Sequence, residues 1–126
     1  MTSIQPTPTD CPFCERIREQ DYAYYYYAFG VVTFEPLNPV TEGHRLFVPN
    51  THVVDAAEEP AITAATFGAA AAYTKENLSP LQSFNLITSA GKYATQTVEH
   101  LHVHLVPRRP DDGLHLPWTG QKKEQS

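Results

Sequence analysis

Between His100 and Pro107 the chain reads His-Leu-His-Val-His-Leu-Val-Pro, with histidine and an aliphatic residue in strict alternation. Extended backbone throws successive side chains to opposite faces. The pattern therefore predicts a strand with His100, His102 and His104 on one face, roughly 7 Å apart. Leu101, Val103 and Leu105 then face a core. Three adjacent imidazoles pack poorly but suit a metal ion or a phosphate. The competing reading is a half-exposed edge strand that happens to be rich in histidine. Half of the chain's six histidines falling within five residues argues against it.

A chain of 126 residues predicts one domain with its own core, and neither an internal repeat nor a domain boundary is visible. A formal charge of −5 speaks against a nucleic-acid binder, which normally carries a basic face. It does not exclude a small anionic ligand, because a pocket can be locally positive on an acidic protein. No stretch has the length of a membrane span, and the N-terminus lacks a basic segment followed by an apolar one. Two cysteines are too few for a disulfide scaffold. The expectation is a cytoplasmic protein with no membrane and no nucleic-acid partner.

Residues 1–10 read as a flexible arm. Cys11-Pro12-Phe13-Cys14 has the spacing of half a tetrahedral zinc site, of a redox pair or of a local disulfide. Residues 12–19 predict a short helix with Glu15, Arg16, Arg18 and Glu19 as its solvated face. The aromatic run Tyr22–Phe29 predicts a strand whose rings are packing residues, and Gly30 turns it into a partner at Val31–Glu35. Pro36-Leu37-Asn38-Pro39 cannot continue a sheet. His44–Val48 predicts a third strand, with His52 in the loop beyond. The alanine-rich segment 60–77 predicts a long helix docked by Ile62, Phe67 and Tyr73. Ser83–Ser89 predicts a fourth strand, Ala90–Thr95 a turn, and the histidine run a fifth strand. Residues 110–126, with Trp118, read as a tail whose last residues fray.

His100-x-His102-x-His104 followed by two aliphatic residues resembles the signature of the histidine-triad (HIT) superfamily of nucleotide hydrolases and transferases. Cys11-x-x-Cys14, Asn38-Pro39, Gly43-His44, Pro49-x-x-His52 and Gln96-Thr97-Val98 match it in order and spacing. The resemblance covers roughly residues 10–109 and implies a HIT domain over 11–109. The implied fold is α+β, a five-stranded antiparallel sheet with one long and one short helix, commonly a homodimer.

The implied chemistry is attack by His102 on the α-phosphate of a purine nucleotide substrate. The nucleotide is then held on an imidazole nitrogen and released by water. Neutral imidazole is nucleophilic near pH 7 and leaves readily once protonated. His102 must donate its other ring proton, and the resemblance implies a backbone carbonyl as acceptor. By the same resemblance His104 stabilises charge on phosphate oxygens, and His44 lies beside the nucleophile. Gln96, Thr97, Ser89 and Asn38 bind substrate. Ordinary turn chemistry is the competing reading for Gln96 and Thr97. Relatives with the N-terminal cysteine pair imply a structural zinc ion held by Cys11, Cys14, His52 and His100.

Two positions depart from the pattern. Pro36 stands where many relatives hold ribose with an acidic residue, and Thr95 stands where a glycine is usual. The expected activity is release of a nucleoside monophosphate from a phosphoramidate or dinucleoside polyphosphate, by hydrolysis or with phosphate replacing water. A complete triad favours this over hexose-1-phosphate nucleotidyl transfer, whose enzymes carry Gln at the third position. The alternative is a zinc-stabilised nucleotide-binding or partner-binding protein with little turnover.

Overall fold

β-Branched and aromatic residues dominate the segments on either side of Gly30 and the run after Gly43, and such residues favour extended backbone. In the computed structural model, which describes residues 9–119, five strands form. They are β1 (Tyr24–Tyr26), β2 (Val31–Phe34), β3 (Arg45–Pro49), β4 (Ser83–Ile87) and β5 (Val103–Arg108). The helices are α1 (Pro12–Arg18) and α2 (Pro60–Asn77), with a 3-10 turn at Lys92–Ala94. The sheet runs β1-β2-β3-β5-β4 and every neighbouring pair is antiparallel. This matches the expected α+β architecture. Residues 1–8 of the expected arm and 120–126 of the expected tail lie outside the described residues.

Alternation along β2, β3 and β5 divides the core in two. Val31, Phe47, Val103 and Leu105 pack under α2, with Ala69 and Ala70 of that helix. Val32, Phe34, Leu46 and Val48 point the other way and pack with Cys11, Phe13 and Cys14 of the α1 region. Leu46 pairs with His104 in the β3–β5 register, so the odd-numbered aliphatics of β5 face α2 while His102 and His104 face the α1 side.

Two sequence expectations need correction. The aromatic run is strand only over β1. Tyr26 O accepts from Phe29 N and Gly30 N at 3.0 and 2.8 Å, which closes a turn with Gly30 at φ 68°. The ladder of β5 begins at Val103, not His100. Leu101 N instead donates to Val53 O at 2.8 Å, and the carbonyl of His102 accepts from Thr88 Oγ1 at 2.7 Å. Side-chain alternation survives without the ladder, since Leu101, Val103 and Leu105 are all buried. Helix α2 is docked by small residues as well as by the expected large ones. Thr66, Ala69, Ala70 and Thr74 are buried, and Phe67 and Tyr73 pack against the core beside them. A Cβ at Gly68 would stand 2.8 Å from Phe29 Cε1, so only glycine permits this approach. Gly43 plays a similar part before β3: at φ 89° its Cβ would meet Pro107 Cγ at 3.0 Å.

Candidate active site and metal centre

Cys11 ends the N-terminal approach to α1 and caps that helix, its Sγ accepting from Cys14 N at 3.3 Å. Pro12 fits the first helical position because its missing N–H would have no partner there. One helical turn brings Cys14 round beside Cys11. From the far side, the loop after β3 delivers His52 and the segment before β5 delivers His100. Cys14 Sγ lies 3.2 Å from His52 Nδ1 and 3.5 Å from His100 Nδ1. Cys11 Sγ is 3.5 Å from His100 Nδ1, and the two Nδ1 atoms are 3.1 Å apart. All four donor atoms fall within 4.8 Å of one another, and three of the four residues are buried.

His100 Nε2 donates to Pro49 O at 2.9 Å, so the neutral ring turns its Nδ1 lone pair into the cluster. Burial holds the His100 pKa down to about 4, aided by the neighbouring His52 and His102 and opposed by the bond to Pro49. Burial also pushes the Cys14 thiol up to about 12, with the Cys11 side chain adding to it. Both thiols are free. Converging lone pairs and buried uncharged donors are what a cation would reward, and the four residues fit a metal ion.

The second half of the site starts from the same residue. The His100 carbonyl accepts the Nδ1–H of His102 at 2.7 Å. This fixes the neutral His102 tautomer and leaves Nε2 with its lone pair. The His102 ring centroid is 5.2 Å from that of His104. His44 Nδ1 accepts from Val40 N at 3.0 Å, so the neutral ring carries its proton on Nε2. That nitrogen lies 2.9 Å from His104 Nδ1 and donates to it. Neutral His104 is thereby left with its proton on Nε2 as a free donor. Burial lowers the pKa of His44 and of His102, and burial with the two neighbouring imidazoles lowers His104 to about 4. The expectation that His44 stands beside His102 is refined here: its partner is His104.

Phe13, not among the expected site residues, lies between the two cysteines. Its ring meets His102 edge-on at 5.1 Å and His100 at 6.0 Å between centroids. Phe13 also walls a cleft of about 540 Å³ lined by Phe34, Leu46, Val98, Asn38 and Arg16. Arg16, expected on a solvated face, lines this cleft. The signal available in sequence was Phe13 lying between two ligands, which forces α1 to turn that side inward. Pro36 lines the cleft, while Glu35 is exposed and outside its lining.

The remaining substrate candidates are less concentrated. Gln96 has its side-chain amide engaged by backbone: Oε1 accepts from Gly91 N at 2.9 Å, and Nε2 donates to Val54 O and Val98 O at 2.7 and 3.0 Å. Thr97 is exposed at the edge of the cleft. Ser89 instead lines a separate cavity of about 710 Å³ with Thr95 and Trp118. Arg108 ties the start of the tail back to the sheet, donating to Asp112 at 2.8 and 3.0 Å and to Asn85 at 2.8 Å.

Residues 18–111 match the HIT domain. An uncharacterised HIT-like protein of Methanocaldococcus jannaschii is 33% identical over 106 residues, covering 82% of each chain. An adenosine 5'-monophosphoramidase of Saccharomyces cerevisiae is 29% identical over 124 residues, 90% of this chain and 73% of the relative. The crystal structure of a HIT family protein from Bacillus anthracis superposes with a TM-score of 0.71 at 33% identity, covering 89% of this chain and 83% of that one. The chain belongs to the HIT family.

Proposed function

We propose that the protein is a nucleotide hydrolase that releases a nucleoside monophosphate through a covalent intermediate on His102. The observation that carries the reading is the bond from His102 Nδ1 to the His100 carbonyl at 2.7 Å, which leaves Nε2 as the nucleophilic atom. In the first step Nε2 forms a bond to the α-phosphorus. The bond from phosphorus to the leaving amine or phosphate breaks, and the leaving group departs with the bonding pair and takes up a proton from solvent. In the second step water attacks phosphorus and sheds a proton to solvent, the N–P bond breaks, and its electron pair returns to Nε2. His104, oriented by His44, offers its Nε2–H to a phosphate oxygen as negative charge builds. The nucleoside lies in the cleft that Phe13 and Phe34 help to line, with Asn38 and Thr97 at its rim. The phosphoramidase relative favours phosphoramidates as the substrate class.

The metal in this reading is zinc, held by Cys11, Cys14, His52 and His100. Zinc bonds of roughly 2.3 Å to sulfur and 2.0–2.1 Å to nitrogen give tetrahedral edges of about 3.3–3.8 Å. Four of the six separations between donor atoms are 3.1–3.5 Å and all lie within 4.8 Å, near enough to those edges to support that ion. Four protein ligands close the coordination shell, so the ion pins α1 to the segment carrying His102 and takes no part in the reaction. The reading also keeps the protein in the cytoplasm, where buried thiols stay reduced. A homodimer joined along the open edge of β4 is part of the same reading, supported by the exposure of Leu81 and Phe84 there. Among the described residues, no helix is long and apolar enough to cross a membrane.

A second reading, a zinc-stabilised nucleotide-binding protein with little turnover, draws on Gln96, whose amide is engaged by backbone rather than presented to a ligand. The test is release of monophosphate from adenosine and guanosine phosphoramidates and dinucleoside tri- and tetraphosphates, with and without phosphate. Wild type and His102→Ala are run side by side. Turnover by wild type alone supports the hydrolase. Binding of monophosphates with no turnover on the whole panel supports the second reading.

A further inference from the structure

The guanidinium carbon of Arg16 lies 3.9 Å from the centroid of the Phe34 ring. Both side chains line the cleft beside Phe13, and Phe34 is buried, so the guanidinium covers an aromatic face that a planar base reaches only when Arg16 swings aside. Arg16 is held there at one nitrogen. Its Nε donates to Asp21 O at 3.1 Å and stands 3.5 Å from Asp21 Oδ2. Among the described residues its two terminal nitrogens have no hydrogen-bond partner. Glu15 and Glu19 line the same cleft, so its rim presents one guanidinium and two carboxylates around an aromatic floor.

Resting on the nucleotide reading above, we infer that Arg16 is the specificity-determining residue of the cleft and selects guanine over adenine. A guanidinium offers donors only. Guanine presents two adjacent acceptors, O6 and N7, that a planar fork meets with two parallel bonds. Adenine presents N7 beside an amino group, which sets donor against donor. The N1–H and amino group of guanine in turn suit carboxylate acceptors such as Glu15 and Glu19. A base that enters displaces the guanidinium from the Phe34 ring toward the rim, where the free terminal nitrogens can meet the base edge in its own plane.

The test measures kcat/KM for guanosine and adenosine 5'-phosphoramidates. Independently of turnover, calorimetry measures Kd for guanosine and adenosine monophosphates. The proteins are wild type, Arg16→Met and Arg16→Lys, each checked by thermal melting. Wild type is expected to prefer guanosine about tenfold or more, the discrimination of one good bidentate pair. Arg16→Met is expected to bring the ratio close to one, with the change carried by KM. Arg16→Lys, which keeps the charge without the fork, should resemble Arg16→Met. Should Arg16→Met fail to fold, Arg16→Lys decides alone. An adenosine preference in wild type, or a guanosine preference that survives both substitutions, overturns the inference. If neither phosphoramidate is turned over, the hydrolase reading fails while the ratio of monophosphate affinities still decides the role of Arg16. If neither monophosphate binds, both fall.

Discussion

His102 donates its Nδ1–H to the backbone carbonyl of His100 at 2.7 Å, and the imidazole of His100 stands among Cys11, Cys14 and His52. One residue thus belongs to the candidate metal site through its side chain and to the histidine pair through its backbone. The cluster is structural in this account, so its loss should act on the fold before the chemistry. Cys11→Ser is expected to lower stability by more than about 3 kcal/mol, because a metal ligand and a buried donor are lost together. Elemental analysis should show close to one zinc per chain in wild type and a loss in the variant. Thermal melting and single-turnover rates separate the two effects. A large fall in the chemical step with unchanged melting would count against a structural ion.

The bond between His44 Nε2 and His104 Nδ1 fixes the proton of His104 on its outer nitrogen. His44→Ala removes that constraint, and a drop in kcat of about tenfold or more is expected from a misplaced donor. His104→Ala removes the donor itself and should cost more. Steady-state kinetics on both variants checks the order. A His44→Ala enzyme with wild-type kcat would show that the tautomer of His104 does not matter.

Burial and its imidazole neighbours hold the His104 pKa near 4, whereas an unfolded histidine titrates near 6.5. Between those values the unfolded chain binds a proton that the folded protein refuses. Stability therefore rises with pH across this window and falls as pH drops from about 6.5 toward 4. His104→Gln removes that contribution, so its melting temperature should decline less steeply than that of wild type over the same range. Parallel curves for the two proteins would mean that His104 titrates normally when folded.

Thr95 sits at φ 69° and ψ 31°, in the left-handed region that β-branched residues avoid. Substitution by glycine relieves this strain at some cost in unfolded-chain entropy. The net gain expected for Thr95→Gly is about 0.5–1 kcal/mol, measured by chemical denaturation. A destabilised Thr95→Gly protein would show that the threonine makes compensating contacts.

The open edge of β4 carries Phe84, 41% exposed, beside Leu81, 92% exposed. Sedimentation equilibrium should give a dimer for wild type and a monomer for Phe84→Glu. A monomeric wild type at micromolar concentration would remove the dimer from the account.

The strands and the long helix were legible because alternation and alanine content are local signals. The same alternation sorted Leu101, Val103 and Leu105 into the core even where the ladder is absent. Hydrogen bonds to distant loops were not legible, and they set the start of β5: Val53 and Thr88 take the partners that a strand would have used. The candidate metal ligands could be named through the family resemblance, since each lies in a short run that matches it, whereas spacing alone left Cys11 and Cys14 open to a redox pair or a disulfide. The cleft could not. Phe13, Arg16, Phe34 and Leu46 come from three elements, and which face of α1 turns inward depends on the cysteines being anchored. Gln96 shows the converse, a motif residue whose amide is engaged by the backbone of Val54, distant in sequence.

The most direct test of the central claim is rapid quenching of the reaction with a guanosine or adenosine phosphoramidate, followed by peptide mapping by mass spectrometry. The account predicts a nucleoside monophosphate adduct on the peptide bearing His102, labile in acid and stable in base. It should form and decay at rates that accommodate kcat, and it should be absent from His102→Ala. An adduct on another residue, or turnover by His102→Ala at the wild-type rate, would contradict it.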